Sequence, residues 1–129
     1  CENGMKVAQF LAQHPKIEKV YYPGLQTHPT FAVAEKLLDG RFGGMVSFKV
    51  VDDLEKINRF IRALESINLA PSLAGVATTL SHPMKTSHRA WSPEKQQTWG
   101  ITMGLLRLSV GIEDAEDIIA DLEQALEQL

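Results

Sequence analysis

The chain ends in a strand-like segment followed at once by an amphipathic helix, and this pair constrains the possible folds more than any other feature. Residues 105–110 (LLRLSV) alternate, with Arg107 and Ser109 on one face and apolar side chains on the other: Leu106, Leu108 and Val110. Residues 113–128 carry an apolar stripe at helical spacing, and acidic side chains fill the first turn, where they favour the helix dipole. Since each element has one apolar side to bury, the sequence predicts a sheet with helices packed on one face.

The preceding residues repeat this alternation of helix and strand. Apolar spacing and Pro or Gly boundaries predict the following elements: helices over 2–14, 29–40 and 54–64, and strands over 17–22 and 45–51. Residues 66–100 are rich in Ser, Thr, Pro and His and are predicted to be irregular, apart from an extended piece over 76–80 and a short helix over 92–99. The order predicts an α+β fold, an α/β two-layer sandwich with a small, mostly antiparallel sheet, over residues 1–129.

Composition and charge exclude several classes of protein. A chain of 129 residues with 44% hydrophobic residues has the size of one globular domain, and its lone Cys1 suits a reducing compartment. The chain has no apolar run near the ~18 residues of a membrane span, so we expect a cytoplasmic protein with no membrane partner. Lys and Arg are scattered and the net charge is -3, which argues against nucleic-acid binding. The seven acidic side chains of residues 113–129 are interpreted as a solvated helix face.

Arg107 is the main candidate for a functional residue. It lies in mid-strand, where the alternation turns its side chain away from the helix-packed face. A guanidinium can bind a carboxylate through two parallel hydrogen bonds, which a lysine cannot reproduce, so one hypothesis is an anion site. The alternative is a salt bridge to a protein carboxylate, either across the sheet or in another domain. The spacing alone leaves both open.

Other residue patterns favour structural roles. His82 and His88 lack the paired spacing and the further ligands of a zinc site, so no metal is expected, and we interpret them as loop-capping or exposed residues. The serines lack a G-x-S-x-G nucleophile motif. The glycine-rich residues 40–44 lead from a helix into a strand, the reverse of a phosphate-binding loop, which indicates a turn.

Several short motifs follow one another in order through the second half of the chain. They are Ser72-Leu73-Ala74-Gly75, Ser81-His82-Pro83, Thr86-Ser87-His88, Ser92-Pro93-Glu94, Gly100-Ile101-Thr102 and residues 105–114 (LLRLSVGIED). Further landmarks precede them, among them Tyr22-Pro23-Gly24-Leu25 and Phe42-Gly43-Gly44-Met45. The ordered set resembles the C-terminal domain of the transsulfuration family of pyridoxal-phosphate (PLP) enzymes, which includes cystathionine synthases and lyases, methionine γ-lyases and O-acylhomoserine sulfhydrylases.

The resemblance implies substrate-binding roles for three residues. Arg107 matches the arginine that binds the α-carboxylate of the amino-acid substrate. Ser72 matches the serine of an S-L-G-G turn that contacts the same carboxylate, and Ser87 stands where relatives commonly have a threonine near the substrate pocket. Ala74 departs from the pattern because it replaces the first glycine of that turn. No catalytic or cofactor-binding residue is assigned within the chain.

The resemblance also implies a cofactor and partners. Family members are much longer and hold PLP through a lysine in an upstream domain. We therefore expect residues 1–129, which begin at Cys1 rather than Met, to be a single C-terminal substrate-binding domain that is inactive alone. The full enzyme would catalyse β- or γ-elimination or replacement on cystathionine, methionine or O-acylhomoserine, as a cytoplasmic homotetramer. The alternative is a noncatalytic truncated product that acts as an assembly or interaction module.

Overall fold

The structure is a computed structural model that describes residues 2–129, so the single thiol at Cys1 lies outside the described residues. Helices and strands follow one another in this range. In chain order they are α1 Glu2–Gln13, β1 Lys19–Tyr21, α2 Phe31–Leu38, β2 Met45–Lys49, α3 Leu54–Ala63, β3 Asn68–Leu69, β4 Thr79–Ser81, α4 Pro93–Thr98, β5 Leu105–Ser109 and α5 Ala115–Leu126. None of these helices has the length and hydropathy that a bilayer crossing requires.

The strands form one five-stranded sheet in the order β1-β2-β5-β4-β3. The central strands β2 and β5 are antiparallel over their full lengths, from Met45 opposite Ser109 to Lys49 opposite Leu105. β1 and β4 extend the sheet in antiparallel fashion on either side, whereas β3 runs parallel to β4. The predicted α+β class with a mostly antiparallel sheet is confirmed.

Helices α1, α3 and α5 form a layer against one face of this sheet. α5 packs against both α1 and α3, and α1 also contacts β1 and β2. Phe48 of β2 meets Phe60 of α3 edge-on, with ring centroids 6.4 Å apart. The strands contribute fully buried side chains to this layer: Val46, Phe48, Leu80, Leu106 and Leu108. Each such side chain contributes about 1.5–3 kcal/mol through burial, so the helical side of the sheet holds the hydrophobic core.

The middle of the chain departs from the prediction in its details. The extended piece expected over 76–80 is β4, which begins later, and β3 is not predicted by the sequence pattern. β3 has two residues, both exposed, so it shows no alternation that would identify it. The helix predicted over 29–40 corresponds to α2 and is shorter, because Asp39 and Gly40 adopt left-handed backbone conformations that end it.

Asp121 of α5 is buried rather than solvated. Its carboxylate accepts hydrogen bonds of 2.8–3.0 Å from the backbone amides of Glu65, Ser66 and Ile67 and one of 2.8 Å from the Ser66 hydroxyl. Burial alone raises the pKa of this carboxyl, but the hydrogen bonds outweigh it and lower the pKa from 3.8 to about 2. The interpretation of the acidic C-terminal residues as one solvated face is therefore wrong at Asp121, which ties the segment after α3 to α5.

Candidate functional site

The face of the sheet opposite the helical layer carries a row of side chains centred on Arg107. Ser47 of β2 pairs with Arg107 on one side, and Ser81 of β4 pairs with it on the other. Tyr21 of β1 extends the row as the partner of Ser47. Both chain neighbours of Arg107 are buried in the core, so its own half-buried side chain lies on the opposite, open face. This is the orientation that the alternation of residues 105–110 predicts.

Arg107 has no anionic partner within residues 2–129. The ion pairs of this range both involve Lys49, which lies 3.7 Å from Glu18 and 3.7 Å from Asp52. A salt bridge across the sheet, one form of the alternative for Arg107, is therefore not formed in this part of the chain, whereas an ion pair with another domain stays open. The guanidinium keeps its planar set of N–H donors for an external carboxylate.

Ser81 places a buried hydroxyl beside Arg107. The residue is 3% exposed, and its Oγ has no hydrogen-bond partner among the described residues. Directly opposed residues on antiparallel strands have Cβ atoms about 4.5–5.5 Å apart. An anion bound at Arg107 would therefore lie next to an unused hydrogen-bond donor. Because a buried hydroxyl without a partner costs about 1–3 kcal/mol, a hydrogen bond from Ser81 to such an anion would remove that cost.

A groove of about 440 Å³ opens beside this row. Its lining comes from the open sheet face and from the C-terminal end of α4: Tyr21, Ser47, Thr98, Trp99, Gly100 and Leu105. Trp99 is 69% exposed there. The open face thus combines the guanidinium of Arg107, several hydroxyls and an apolar, partly aromatic groove, which suits a small molecule with an acidic end and an apolar body.

Residues 72–78, which precede β4 and are called the Ser72 turn here, lie over one end of the same open face. The backbone N–H of Ala74 donates to Ser109 Oγ at 3.0 Å, and Thr79 Oγ1 donates to the Ser72 carbonyl at 3.4 Å. Ser109 is two residues from Arg107 on the same face, about 7 Å along the strand. The fold therefore brings Ser72 beside the Arg107 row, although the two residues are 35 positions apart in sequence.

The conformation of Ala74 gives a first testable prediction. Its φ is +60°, in the left-handed region that disfavours side chains with a Cβ. We expect Ala74→Gly to raise the free energy of unfolding by about 0.5–1 kcal/mol, since the left-handed conformation costs about 1–2 kcal/mol with a Cβ and glycine loses part of that gain through chain entropy. Denaturant unfolding measures the change. Ala77→Gly is the matched control, because Ala77 has no positive φ, and it should be destabilising. A destabilised Ala74→Gly variant would contradict the prediction.

Ser87 lies beyond the other end of β4, in the loop that follows His82. Its Oγ is 2.7 Å from Nδ1 of the neighbouring His88, and the residue is exposed. His82 is buried, and its Nε2–H donates to the Met103 carbonyl at 2.7 Å. Burial lowers the pKa of His82, so the neutral ring anchors this loop. Within the described range no hydrogen bond joins Ser87 to Arg107, and its role in substrate binding stays a prediction.

The lysines of the described residues are all at least partly exposed, and the glycine-rich residues 40–44 form a turn. None of the lysines within residues 2–129 is buried, whereas a lysine that reacts with a carbonyl cofactor is typically activated by a desolvated pocket. Residues 40–44 join α2 to β2, with positive φ at Gly40 and Gly43, which is the geometry of a turn that enters a strand. A cluster of three or more His, Cys, Asp or Glu side chains suited to a metal ion is also absent from the part of the chain that the structure describes.

Comparisons with known proteins agree with the fold and the motifs. The model of the family described as Cys/Met metabolism PLP-dependent enzyme matches residues 1–127. An L-methionine gamma-lyase of Fusobacterium nucleatum subsp. polymorphum is 46% identical over 129 residues, which are 100% of this chain and 32% of that protein. A cystathionine gamma-lyase of Bacillus subtilis (strain 168) is 41% identical over 128 residues, covering 99% of this chain and 33% of that protein.

A solved structure contains the fold of nearly all of this chain. The crystal structure of cystathionine gamma synthase from Xanthomonas oryzae pv. oryzae in complex with aminoacrylate and cysteine superposes with a TM-score of 0.92 at 40% identity. The match covers 98% of this chain and 33% of that one. The chain therefore spans about a third of the length of the relatives it matches.

Proposed function

The chain belongs to the Cys/Met metabolism family of PLP-dependent enzymes, and from this premise we propose that it is the C-terminal substrate-binding domain of a PLP-dependent C–S lyase or transsulfuration enzyme. The enzyme would eliminate or replace a group at the β- or γ-carbon of cystathionine, methionine or an O-acylhomoserine. The observation that carries the proposal is Arg107, which lies on the open sheet face without an acidic partner in the described range.

Arg107 is proposed to bind the substrate α-carboxylate through two parallel hydrogen bonds. Its planar fork of donors matches the two carboxylate oxygens and fixes the orientation of the bound molecule as well as its position. Ser72, on the turn tethered to Ser109, is proposed to contact the same carboxylate. Ser87 is proposed to line the substrate pocket from the loop after His82. These residues bind and orient the substrate, which supports the reaction by lowering the entropic cost of reaching the reactive geometry.

PLP is proposed to be held by a part of the enzyme outside this chain. When bound, the cofactor withdraws electrons from the α-carbon of the amino acid, which is the chemistry that elimination and replacement need. A cofactor site outside this chain agrees with the partial exposure of the lysines of the described residues. It also agrees with the coverage of the relatives, since the chain spans only 32% of one methionine gamma-lyase. A cytoplasmic homotetramer is proposed for the complete enzyme.

A second candidate function is a noncatalytic assembly or interaction module. It is favoured by the exposed apolar side chains of α2, where Val33 is 58% and Leu37 is 74% exposed. It is also favoured by Val76 in the Ser72 turn and by its neighbour Ile112, which are 71% and 80% exposed. These side chains suit burial against another protein surface, and a contact of that kind would serve either function.

Turnover assays with matched substrates test the proposal. The PLP-loaded enzyme that contains this chain is expected to release a 2-oxo acid from L-methionine or L-cystathionine, or to form a C–S bond at the γ-carbon of O-acetyl-L-homoserine with a thiol while the C–O bond breaks and acetate leaves. The corresponding amines, which lack the α-carboxylate, should lose about 100-fold in kcat/KM, because the hydrogen bonds to a charged partner are missing. The 129-residue chain alone, mixed with PLP, should show neither turnover nor the visible absorbance of a lysine-bound cofactor.

Each outcome bears on a different part of the proposal. Equal rates on an amino acid and its amine would contradict the carboxylate-binding role. Absence of turnover on every substrate with PLP bound would contradict the enzymatic function and support the assembly module. Turnover by the isolated chain would contradict the view that it binds substrate only as part of a longer enzyme.

A further inference from the structure

A carboxylate outside the Arg107 row holds the far end of the Ser72 turn. Both oxygens of Glu113, which precedes α5, accept hydrogen bonds from Thr78: Oε1 from the backbone N–H at 2.6 Å and Oε2 from the side-chain hydroxyl at 2.8 Å. The two residues are 35 positions apart in sequence. A bidentate contact of a carboxylate with one residue fixes both the distance and the orientation of the segment it holds.

The same Thr78 is held by the turn after β5. Its Oγ1 accepts a hydrogen bond from the backbone N–H of Gly111 at 2.9 Å, and the N–H of Ile112 donates to the Val76 carbonyl at 2.9 Å. A Cβ on Gly111 would collide with the Val76 carbonyl oxygen and would lie 2.7 Å from the Thr78 nitrogen. The close approach of the two segments therefore requires glycine at this position.

Helix α1 contacts residues 111–113, which follow β5, from the side opposite the Ser72 turn. The side-chain amide of Asn3 donates to the carbonyls of Gly111 at 3.1 Å and of Glu113 at 2.6 Å. Residues 111–113 are thus held on one side by α1 and on the other by the Ser72 turn. We call the contacts among Thr78, Glu113, Gly111 and Asn3 the Thr78 clasp.

The hydrogen bonds of the Thr78 clasp favour the ionised form of the Glu113 carboxylate. Partial burial raises the pKa of Glu113, but the hydrogen bonds from Thr78 outweigh it and lower the pKa below its ordinary value. Hydrogen bonds to an ionised acceptor are about twice as strong as those between neutral groups. The carboxylate therefore holds Thr78 at neutral pH.

The Ser72 turn is tethered at two points to the strand that carries Arg107. Ala74 is bound to Ser109 within β5, and Thr78 is bound to Glu113 just after β5. Strands β3 and β4 fix the two ends of this segment, but without further contacts the residues between them would still sample many positions, and fixing them costs conformational entropy. Two tethers incur that cost during folding, before any ligand binds.

We propose that Glu113 is a positioning residue, whose clasp on Thr78 fixes the Ser72 turn beside Arg107 before the amino acid binds. The inference rests on the proposed function, since it assumes that Arg107 and Ser72 bind the substrate carboxylate. Glu113 itself touches no substrate in this scheme and acts through Thr78 and the turn. Loss of the clasp should weaken substrate binding, while the chemical step at the bound substrate continues.

Variants of the two clasp residues test the inference in the PLP-loaded enzyme. Glu113→Gln and Thr78→Val are expected to raise KM about tenfold with kcat nearly unchanged, equivalent to about 1.4 kcal/mol of lost binding free energy. The inhibition constant of glycine, which has the α-carboxylate but no side chain to eliminate, should rise by the same factor. Thr78→Ser, which keeps the hydroxyl, should behave like the wild type. Glu116→Gln is the matched control, since this exposed carboxylate forms no hydrogen bond within residues 2–129.

Hydrogen–deuterium exchange of the unaltered enzyme gives a readout that does not depend on turnover or on variants that fold. The peptide spanning residues 72–80 should be protected without ligand and gain little further protection with glycine bound. Strong protection that appears only with glycine would overturn the inference, because the turn would then be ordered by the ligand. An unchanged glycine constant in folded Glu113→Gln and Thr78→Val enzymes would overturn it as well.

The two proposals fail in different ways. If Arg107→Ala leaves KM and the glycine constant unchanged, the proposed carboxylate site is wrong. If Arg107→Ala raises both constants while the clasp variants, shown to be folded, leave them unchanged, the carboxylate site stands and the positioning role of Glu113 is wrong.

Discussion

Replacing Arg107 with alanine is expected to raise the KM for an amino-acid substrate by about 100-fold in the PLP-loaded enzyme that contains this chain. The variant would lose two hydrogen bonds to the substrate carboxylate, which contribute about 1.5 kcal/mol each, and every 1.4 kcal/mol corresponds to a factor of ten. The visible absorbance of the bound cofactor should remain, because the cofactor is proposed to be held by a part of the enzyme outside this chain. Steady-state kinetics and an absorbance spectrum measure the two effects.

One further variant separates the effect of charge from that of geometry at this position, and a second variant elsewhere is a control. Arg107→Lys keeps the positive charge but cannot form two parallel hydrogen bonds, so its KM should lie between those of the wild type and Arg107→Ala. Arg59→Ala, on the exposed surface of α3, is the matched control and should leave KM unchanged. An Arg107→Ala enzyme with the KM of the wild type would contradict the assignment and favour an ion pair between Arg107 and another domain.

The parts of the fold that the sequence predicts are those in which burial repeats with a regular period. Residues 105–110 alternate, and the structure buries Leu106 and Leu108 while Arg107 faces the open side. The apolar stripe of the last helix likewise becomes the face that packs on α1 and α3. β3 could not be predicted, because two exposed residues paired with β4 carry no periodic signal.

The candidate site was predictable only in part for a similar reason. Strand alternation places Arg107 on the open face, and the resemblance to a known family adds Ser72 and Ser87. The contacts that place the Ser72 turn beside Arg107 join residues far apart in sequence, as Thr78 and Glu113 do. In the sequence alone, Glu113 cannot be distinguished from any acidic residue at the start of a helix, because no local pattern indicates a hydrogen bond to a distant loop.

The contacts of Asp121 also join residues far apart in sequence and could not be predicted from a local pattern. They give the largest expected effect on stability. Replacing Asp121 with asparagine is expected to lower the free energy of unfolding at pH 7 by about 2 kcal/mol. The folded chain holds the pKa of this carboxyl at about 2 instead of 3.8, and each pH unit of such a difference corresponds to about 1.36 kcal/mol. Asparagine keeps one acceptor oxygen but turns an NH₂ group towards backbone amides that are themselves donors. Urea unfolding at constant pH measures the loss.

The pH dependence of that loss identifies its cause. The pKa of Asp121 is lower in the folded than in the unfolded chain, so its contribution is complete above a pH of about 4 and disappears as the pH falls towards 2. The unfolding free energies of the wild type and Asp121→Asn should therefore converge over this interval. Asp117→Asn, one turn earlier on the exposed side of α5, should cost little at any pH. A difference between wild type and Asp121→Asn that stays constant down to pH 2 would mean that shape, and not the ionised carboxylate, stabilises the junction between α3 and α5.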